Sequence, residues 1–479
     1  MNEKLQQVIA DSKAIRWFTL SMVSLTMLAA YYFVDSIAPL QSLLEQGYGW
    51  KPGHYGFFSA SEYMLNVCGF LILSGIILDK MGIRFTGLTA CAVMLTGALL
   101  KTYALTGYFR DGGFGYEFFS SFWTDMPATA KLASLGYAIF GIGVEMAGIT
   151  TSRAVVKWFQ GRELALAMGM QLATARLGAS VAFFFSAPLA GYQQAANGAA
   201  TGSVLNPLYL GVALLSIGLL TFFVYTFFDR KLDRQTGRLS DEDPSEQFHL
   251  RDLGKIITNP GFLAIAALCV LFYSGVFPFL KYAVYMMQNK LGVSAEVGGM
   301  ISGLLPVGTI LLTPIFGAYL DKKGKGASIM ILGSALLTAA HLTFAFIPLN
   351  MFIAVTAIIV LGIAFSLIPA SMWPSVPKIV EERYLGSAYA LVFWIQNIGL
   401  MFFPWLVGQV LEATNPGVAE RITAGDTSVK YNYTYALLIF AVLGVCAIAL
   451  AFVLKATDKK RGYGLELPNK KKKPAEQAG

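Results

Sequence analysis

The sequence predicts an all-α polytopic membrane protein, its twelve transmembrane helices arranged in two pseudo-symmetric six-helix bundles. Three observations carry that prediction. Of 479 residues, 56% are hydrophobic and 13% charged, about half the charged share of an ordinary soluble domain. Apolar runs long enough to cross a bilayer, which takes about 20 residues, recur from one end of the chain to the other. Two motifs of the first half return in the second at fixed offsets.

In chain order, runs bounded by charge, Gly or Pro fall at about 17–40, 54–79, 84–106, 132–158, 162–190, 207–228, 260–289, 296–320, 327–347, 351–378, 384–411 and 432–455. Each is read as a helix, because an isolated strand in lipid leaves its backbone groups unpaired. The first 16 residues, MNEKLQQVIADSKAIR, are polar. The run from Trp17 is too long for a signal-peptide core, so it reads as a retained first span. The charged stretch DRKLDRQTGRLSDEDPSEQFHLRDLGK (229–255) divides the chain. An N-terminal bundle occupies 1–228, a cytoplasmic linker 229–258, and a C-terminal bundle with a basic tail 259–479. With the N-terminus inside, 26 of the 36 Lys and Arg lie on the inner side and 6 on the outer. The positive-inside bias therefore places both termini in the cytoplasm. The tail segment NKKKKP (469–474) reads as a solvated stretch beside anionic headgroups.

Several classes fall away. The net charge of +8 is explained by topology, so no nucleic-acid partner is expected. The four cysteines, Cys68, Cys91, Cys269 and Cys446, lie inside apolar runs without CxxC spacing, which argues against a metal site or a disulfide framework. No GxxxxGK[ST] loop is present, so ATP is not expected to drive the protein, and no cofactor is implied. An enzyme would want clustered His or carboxylates, or a nucleophile beside a base; three scattered histidines do not supply them.

The repeats locate moving parts. GIILDKMGIR (75–84) and GAYLDKKGKG (317–326) both read G-x-x-x-D-K-x-G. Gly75 permits close approach of a neighbour. Asp79 can pair with a cation of an adjacent helix, and Arg84, Asp321 and Lys322 complete a candidate latch that holds the two bundles together on the inner side in one state. In the second repeat Gly141, Ile142, Lys157, Arg162, Leu164 and Gly178 match Gly362, Ile363, Lys378, Arg383, Leu385 and Gly399 at an offset of 221.

Twelve spans, two halves and this duplicated loop resemble the major facilitator superfamily. A closer likeness lies in YYFVDSIAPLQ (31–41), EMAGITTSRAVVKWFQGREL (145–164), MQLATARLG (170–178), VFPF (276–279), PIFGAYLDKKGK (314–325), MWP (372–374) and LGSAYALVFWIQNIGL (385–400). These are similar to the branch that contains the lysosomal dipeptide uniporter of animal cells and its bacterial relatives. The resemblance implies the major facilitator fold, alternating access and a small-peptide substrate.

The stretch FGIGVEMAG (140–148) sets a carboxylate, Glu145, among small and apolar residues. By helical rise Glu145 and Arg176 lie about 20 and 21 Å from the inner ends of spans four and five. Both are near the middle of a hydrocarbon core roughly 30 Å thick. An intramembrane charge costs at least about 2.5–3.5 kcal/mol and normally faces a partner or a cavity. At offset 221 their counterparts are Ser366 and Asn397, so only one half carries the charges. A packing pair would be needed in both halves, whereas a ligand has two different ends. Glu145 suits an ammonium and Arg176, with its planar fork, a carboxylate; the resemblance implies the same roles. A Glu145–Arg176 salt bridge closing the N-terminal half is the competing reading.

Other residues join the candidate site. Asn66, Gln396 and Asn397 sit at middle depth and can donate to peptide carbonyls or simply join helices. Asp35 and Glu62, toward the outer ends of spans one and two, either bind substrate or protons or form an outer ion-pair gate. Lys281 faces the same choice, with snorkelling to headgroups as its simplest role. Trp373 and Trp394 are candidate cavity walls. Arg153 departs from the family pattern of a small polar residue; it can pair with an acid at the inner gate or alter substrate preference. His341 reads as a packed core residue.

The sequence therefore predicts a membrane transporter of small zwitterionic solutes, dipeptides or short peptides by resemblance. The alternative is a proton-coupled transporter of a small organic anion. Protons are a candidate co-substrate, the bilayer is the surrounding partner, and oligomeric state is not legible. Neither tail carries an acidic dileucine signal, which favours a bacterial inner membrane.

Overall fold

The structure, a computed structural model, describes residues 8–194, 199–236, 253–426 and 428–468. Its long helices are α1 Lys13–Asp35, α2 Pro52–Leu65, α3 Leu71–Ala104, α4 Ala128–Phe159, α5 Leu164–Leu189, α6 Leu205–Thr236, α7 Pro260–Leu291, α8 Ala295–Lys323, α9 Gly326–Phe346, α10 Met351–Met372, α11 Leu385–Ala413 and α12 Thr434–Arg461. Among the described residues eleven segments are long and apolar enough to cross a membrane, and one of them, Pro52–Ala104, runs for 53 residues. A single crossing takes about 20 residues, so that segment holds two. It divides at Gly82, whose φ of 73° and ψ of 173° are not helical. Only glycine accepts such a backbone readily. Past the break the chain returns: the Lys101 ammonium lies 5.1 Å from the centroid of Phe58 on α2. Division at Gly82 is consistent with twelve crossings.

Helix ends follow local chemistry. Asn259 caps α7 by accepting from the amides of Gly261 and Phe262, with Pro260 in the first turn where a missing N–H costs nothing. Ser294 caps α8 and Asn350 caps α10 in the same way. The expected boundary at residue 228 falls short, because α6 continues to Thr236. The middle of the expected linker (237–252) and the NKKKKP tail lie outside the described residues.

The first six helices form one bundle and the last six the other. Within the first, glycines bring backbones together: a Cβ at Gly141 would meet the Glu62 carbonyl at 1.8 Å, and one at Gly143 the Met94 amide at 2.6 Å. The small residues around Glu145 thus let α4 press against α2 and α3. Between bundles, close contacts gather toward the face that carries Lys51, termed the far face. A Cβ at Gly56 on α2 would meet the Pro404 carbonyl of α11 at 2.8 Å, and one at Gly299 on α8 the Phe183 carbonyl of α5 at 2.3 Å. The opposite, basic face carries Arg84, Lys157 and Lys322.

Between α2 and α3, Asn66–Phe70 forms a π turn with Gly69 at φ 110°. Such a bulge leaves a carbonyl without its usual partner. Trp394 of α11 uses one, donating its indole N–H to the Val67 carbonyl at 3.0 Å. Among the hydrogen bonds described between the bundles, this one lies nearest the basic face.

Candidate functional site

Glu145 on α4 and Arg176 on α5 lie at similar depth, each keeping part of its surface exposed. No salt bridge joins them, so the structure is not the closed-pair alternative. The Glu145 carboxylate instead lies near the Asn397 side chain on α11. Asn397 donates to the Phe393 carbonyl at 2.9 Å and keeps a buried amide oxygen without a partner. The Arg176 guanidinium is held by rings: its carbon lies 4.9 Å from the Phe365 centroid, 5.2 Å from Phe277 and 5.9 Å from Tyr31. Phe365 is on α10 and Phe277 on α7, both in the facing bundle. Stacking against rings orients the guanidinium plane and leaves its N–H fork free for a planar anion. Both charges thus point between the bundles, not into lipid.

Aromatic residues of the C-terminal bundle continue this wall. Trp373 donates to the Tyr273 hydroxyl at 3.0 Å. It stacks on Phe393 at 4.8 Å between centroids, and Tyr273 stacks on Phe277 at 5.7 Å. Trp373 therefore stands on the site side, as expected of a cavity wall, and Trp394 bridges the bundles.

Three expected binding residues sit elsewhere. Asn66 is wholly buried and donates to the Gly141 carbonyl at 3.0 Å, so it serves helix packing. Gln396 turns toward α7, where its side-chain oxygen accepts from the Cys269 thiol at 3.2 Å. Asp35 joins the gate: Lys281 of α7 lies 3.2 Å from Asp35 and 3.3 Å from Glu62, and donates to the Tyr137 hydroxyl at 3.0 Å. Tyr137 in turn donates to Glu62 at 2.6 Å. Lys281 does not snorkel; it is 5% exposed and makes the central ion cluster between the bundles.

Further links close the far face. Lys51 pairs with Glu420 at 2.7 Å, the Gly53 amide donates to Glu412 at 3.0 Å, and the Tyr55 hydroxyl donates to the Lys281 carbonyl at 2.8 Å. Glu45, on the short helix Gln41–Tyr48, is buried and accepts from the hydroxyls of Tyr285 and Tyr431 of the other bundle.

On the basic face the Asp79 and Arg84 members of the expected latch are paired within the N-terminal bundle. Asp79 pairs with Arg153 at 2.7 Å, α3 to α4, within one bundle. Arg84 bonds Asp229 at 2.9 Å and also Asp233, both on α6. Arg153 thus has an acid partner at the inner end, as one of its two expected roles required. Asp321 is half-buried and Lys322 exposed at the end of α8. His341 is packed as expected, its Nε2 2.8 Å from the Gly275 carbonyl and its ring against Phe279 and Phe440.

Sequence reasoning missed the rings around Arg176 and the Glu45 clamp. The first has no spacing signal, since the rings come from three helices far apart in the chain. The second lies at a span end, where a carboxylate is unremarked. The Lys281 cluster had a signal: one cation and two acids, all within spans and at comparable depth in opposite halves.

A sequence model described as Major Facilitator Superfamily matches residues 112–404 and 280–477. The lysosomal dipeptide transporter MFSD1 of Mus musculus is 28% identical over 403 residues, spanning 84% of this chain and 81% of the mouse protein. Its Homo sapiens counterpart is 27% identical over 402 residues, with shares of 84% and 81%. Two solved structures share the fold. The nucleoside transporter NupG superposes with a TM-score of 0.66 at 15% identity, covering 92% of this chain and 99% of that one. A bacterial homologue of the human lysosomal transporter Spinster, inward-facing and occupied, gives 0.67 at 12%, covering 94% and 98%.

Proposed function

Since the chain belongs to the Major Facilitator Superfamily, an integral membrane family of transporters and not of enzymes, we propose that it carries small zwitterions, dipeptides or short peptides, through a site between its bundles. Glu145 receives the solute's ammonium and Arg176 its carboxylate, while Asn397 hydrogen-bonds from the opposite bundle. The carrying observation is that two opposite charges at one depth both face the other bundle and do not pair with each other. Each is left available to a ligand that bears the complementary group. The name shared by the mouse and human relatives supports a dipeptide as that ligand.

Transport proceeds by alternating access. Ion pairs and glycine contacts seal the far face, while among the described inter-bundle hydrogen bonds that of Trp394 lies nearest the basic face. The solute route then opens toward the basic face, which the positive-inside bias assigns to the cytoplasm together with both termini. A bacterial inner membrane is the proposed location.

The test is uptake by proteoliposomes over a panel of dipeptides and monocarboxylates, with and without a pH gradient, repeated with Glu145→Gln and Arg176→Ala. Dipeptide flux lost in both variants supports the reading. Monocarboxylate flux without dipeptide flux, depending on Arg176 and on the pH gradient, transfers it to the organic-anion alternative.

A further inference from the structure

Lys101 on α3 is wholly buried, at 0% exposure, and among the described residues it has no carboxylate at ion-pair distance. Its ammonium sits in a box of rings, 4.0 Å from the Tyr137 centroid, 4.5 Å from Phe33 and 5.1 Å from Phe58. Its only hydrogen bond is a long one, 3.5 Å to the Phe33 carbonyl. A buried cation held this weakly is costly, and it needs a reason.

The reason lies on the other side of the Tyr137 ring. The hydroxyl of that tyrosine touches both Glu62 and Lys281, so one ring separates the two lysines. Lys101, Phe33, Phe58, Tyr137, Asp35 and Glu62 all belong to the N-terminal bundle. Lys281 alone comes from the C-terminal bundle. With the far face closed, two carboxylates and two ammonium groups share the region. Opening it withdraws Lys281 and leaves both carboxylates behind.

We propose that Lys101 is the resident counter-ion of this gate, leaving its aromatic box to neutralise Asp35 and Glu62 when Lys281 moves away with the other bundle. The ring box is a parking place: cation–π attraction holds the ammonium without fixing it by directed hydrogen bonds. A flexible four-carbon stem permits the shift. The titratable and charged groups around the pair are Tyr31 and Asp35 on α1, Tyr55, Glu62 and Tyr63 on α2, Tyr137 and Glu145 on α4, Arg176 on α5 and Lys281 on α7. Two cations among these stay with the N-terminal bundle, Lys101 and Arg176; Arg176 lies against the rings of Phe365 and Phe277, so Lys101 is the one left to Asp35 and Glu62.

The inference rests on the proposed rocking of the bundles but not on the identity of the cargo. Its test therefore uses no solute. In full-length protein in proteoliposomes, with Cys68→Ser and Cys446→Ser as background, Ser59→Cys reports far-face opening by its reaction with a membrane-impermeant maleimide; Ser59 is 1% exposed when that face is closed. Lys101→Met is expected to slow labelling roughly tenfold or more at neutral pH, since opening now strands two unpaired buried carboxylates. Glu62→Gln is expected to shrink the effect of Lys101→Met several-fold, as coupled groups do. Lys101→Arg, which keeps the charge, serves if the Met variant does not fold. Then the Lys101→Met/Glu62→Gln double variant is compared with Glu62→Gln alone. Labelling of Lys101→Met at the parent rate, or slowing that Glu62→Gln does not relieve, overturns the proposal. Absence of dipeptide flux would leave it standing.

Discussion

Arg176 lies against Phe365 of the opposite bundle, 4.9 Å from its ring centroid, and forms no ion pair with Glu145 of its own bundle. Phe277, also of the opposite bundle, adds a second ring at 5.2 Å, so the Arg176 charge is met by π faces and not by a carboxylate. Two consequences for mutants follow from that separation.

Arg176→Lys keeps the charge but loses the planar stack and the second hydrogen bond to a carboxylate. The loss of one charge-assisted bond is about 2 kcal/mol, or roughly thirtyfold in affinity. Titration of solute-induced thermal stabilisation is the measurement. A variant as strong as the parent would mean that Arg176 acts as a point charge only.

Glu145→Gln removes the partner of the solute ammonium while keeping the shape that meets Asn397. The expected result is loss of zwitterion binding with retention of the fold, seen as an unchanged apo melting temperature and an abolished ligand shift. Acetylated dipeptides, which lack the ammonium, are expected to bind parent and variant alike.

Lys281→Met leaves Asp35 and Glu62 without their cation in the closed far face. Breaking a buried ion pair by removing one partner costs about 3–5 kcal/mol. The far face is therefore expected to open more often, read as faster maleimide labelling at the Ser59→Cys position. Lys281→Met and Lys101→Met thus move that readout in opposite directions.

Gly56→Val tests the seam without touching a charge. A Cβ there would meet the Pro404 carbonyl at 2.8 Å, the Tyr282 hydroxyl at 3.0 Å and the Gly408 Cα at 3.1 Å. Two of these are backbone atoms and cannot retreat. Uptake is expected to fall steeply while far-face labelling rises.

The Lys51–Glu420 pair at the far surface fixes an expectation for pH. The hydrogen bond from Lys51 lowers the Glu420 pKa below its usual 4.5, and the same bond raises Lys51 above 10.5. A depressed carboxylate gives its contribution in full above its unperturbed value and loses it as pH falls through the lowered one. A raised lysine gives its contribution in full below its unperturbed value and loses it as pH rises through the raised one. Between about pH 5 and pH 9 neither group titrates, so this pair does not gate transport across the neutral range. Being exposed, it contributes well under about 1 kcal/mol. Glu420→Gln is accordingly expected to leave the pH profile of uptake unchanged.

The architecture was legible because hydrophobic length and charge placement act locally and additively along the chain. The central site was legible for a related reason: Glu145 and Arg176 violate the composition of their own helices, and the internal repeat gives each a neutral counterpart in Ser366 and Asn397. Asn66 and Gln396 look the same as Asn397 by depth. Only azimuth separates them, and the π turn at 66–70 and the prolines inside helices at 278 and 404 make azimuth unreadable from spacing. Asp79 was expected to find a cation on an adjacent helix, and it finds Arg153, a residue of its own bundle. The repeated motif marks a loop under constraint without telling which partner the loop will find.

Both formal charges assigned to the cargo reside in one bundle, and they sum to zero. A neutral zwitterion seated between them brings no net charge of its own, and the bundle that swings past it contributes amides and rings. The reorientation of the occupied carrier then moves no net electrical charge at this site across the bilayer. Membrane voltage has nothing at that site to pull on, so movement of the proposed zwitterionic cargo without an accompanying proton is expected to generate no current.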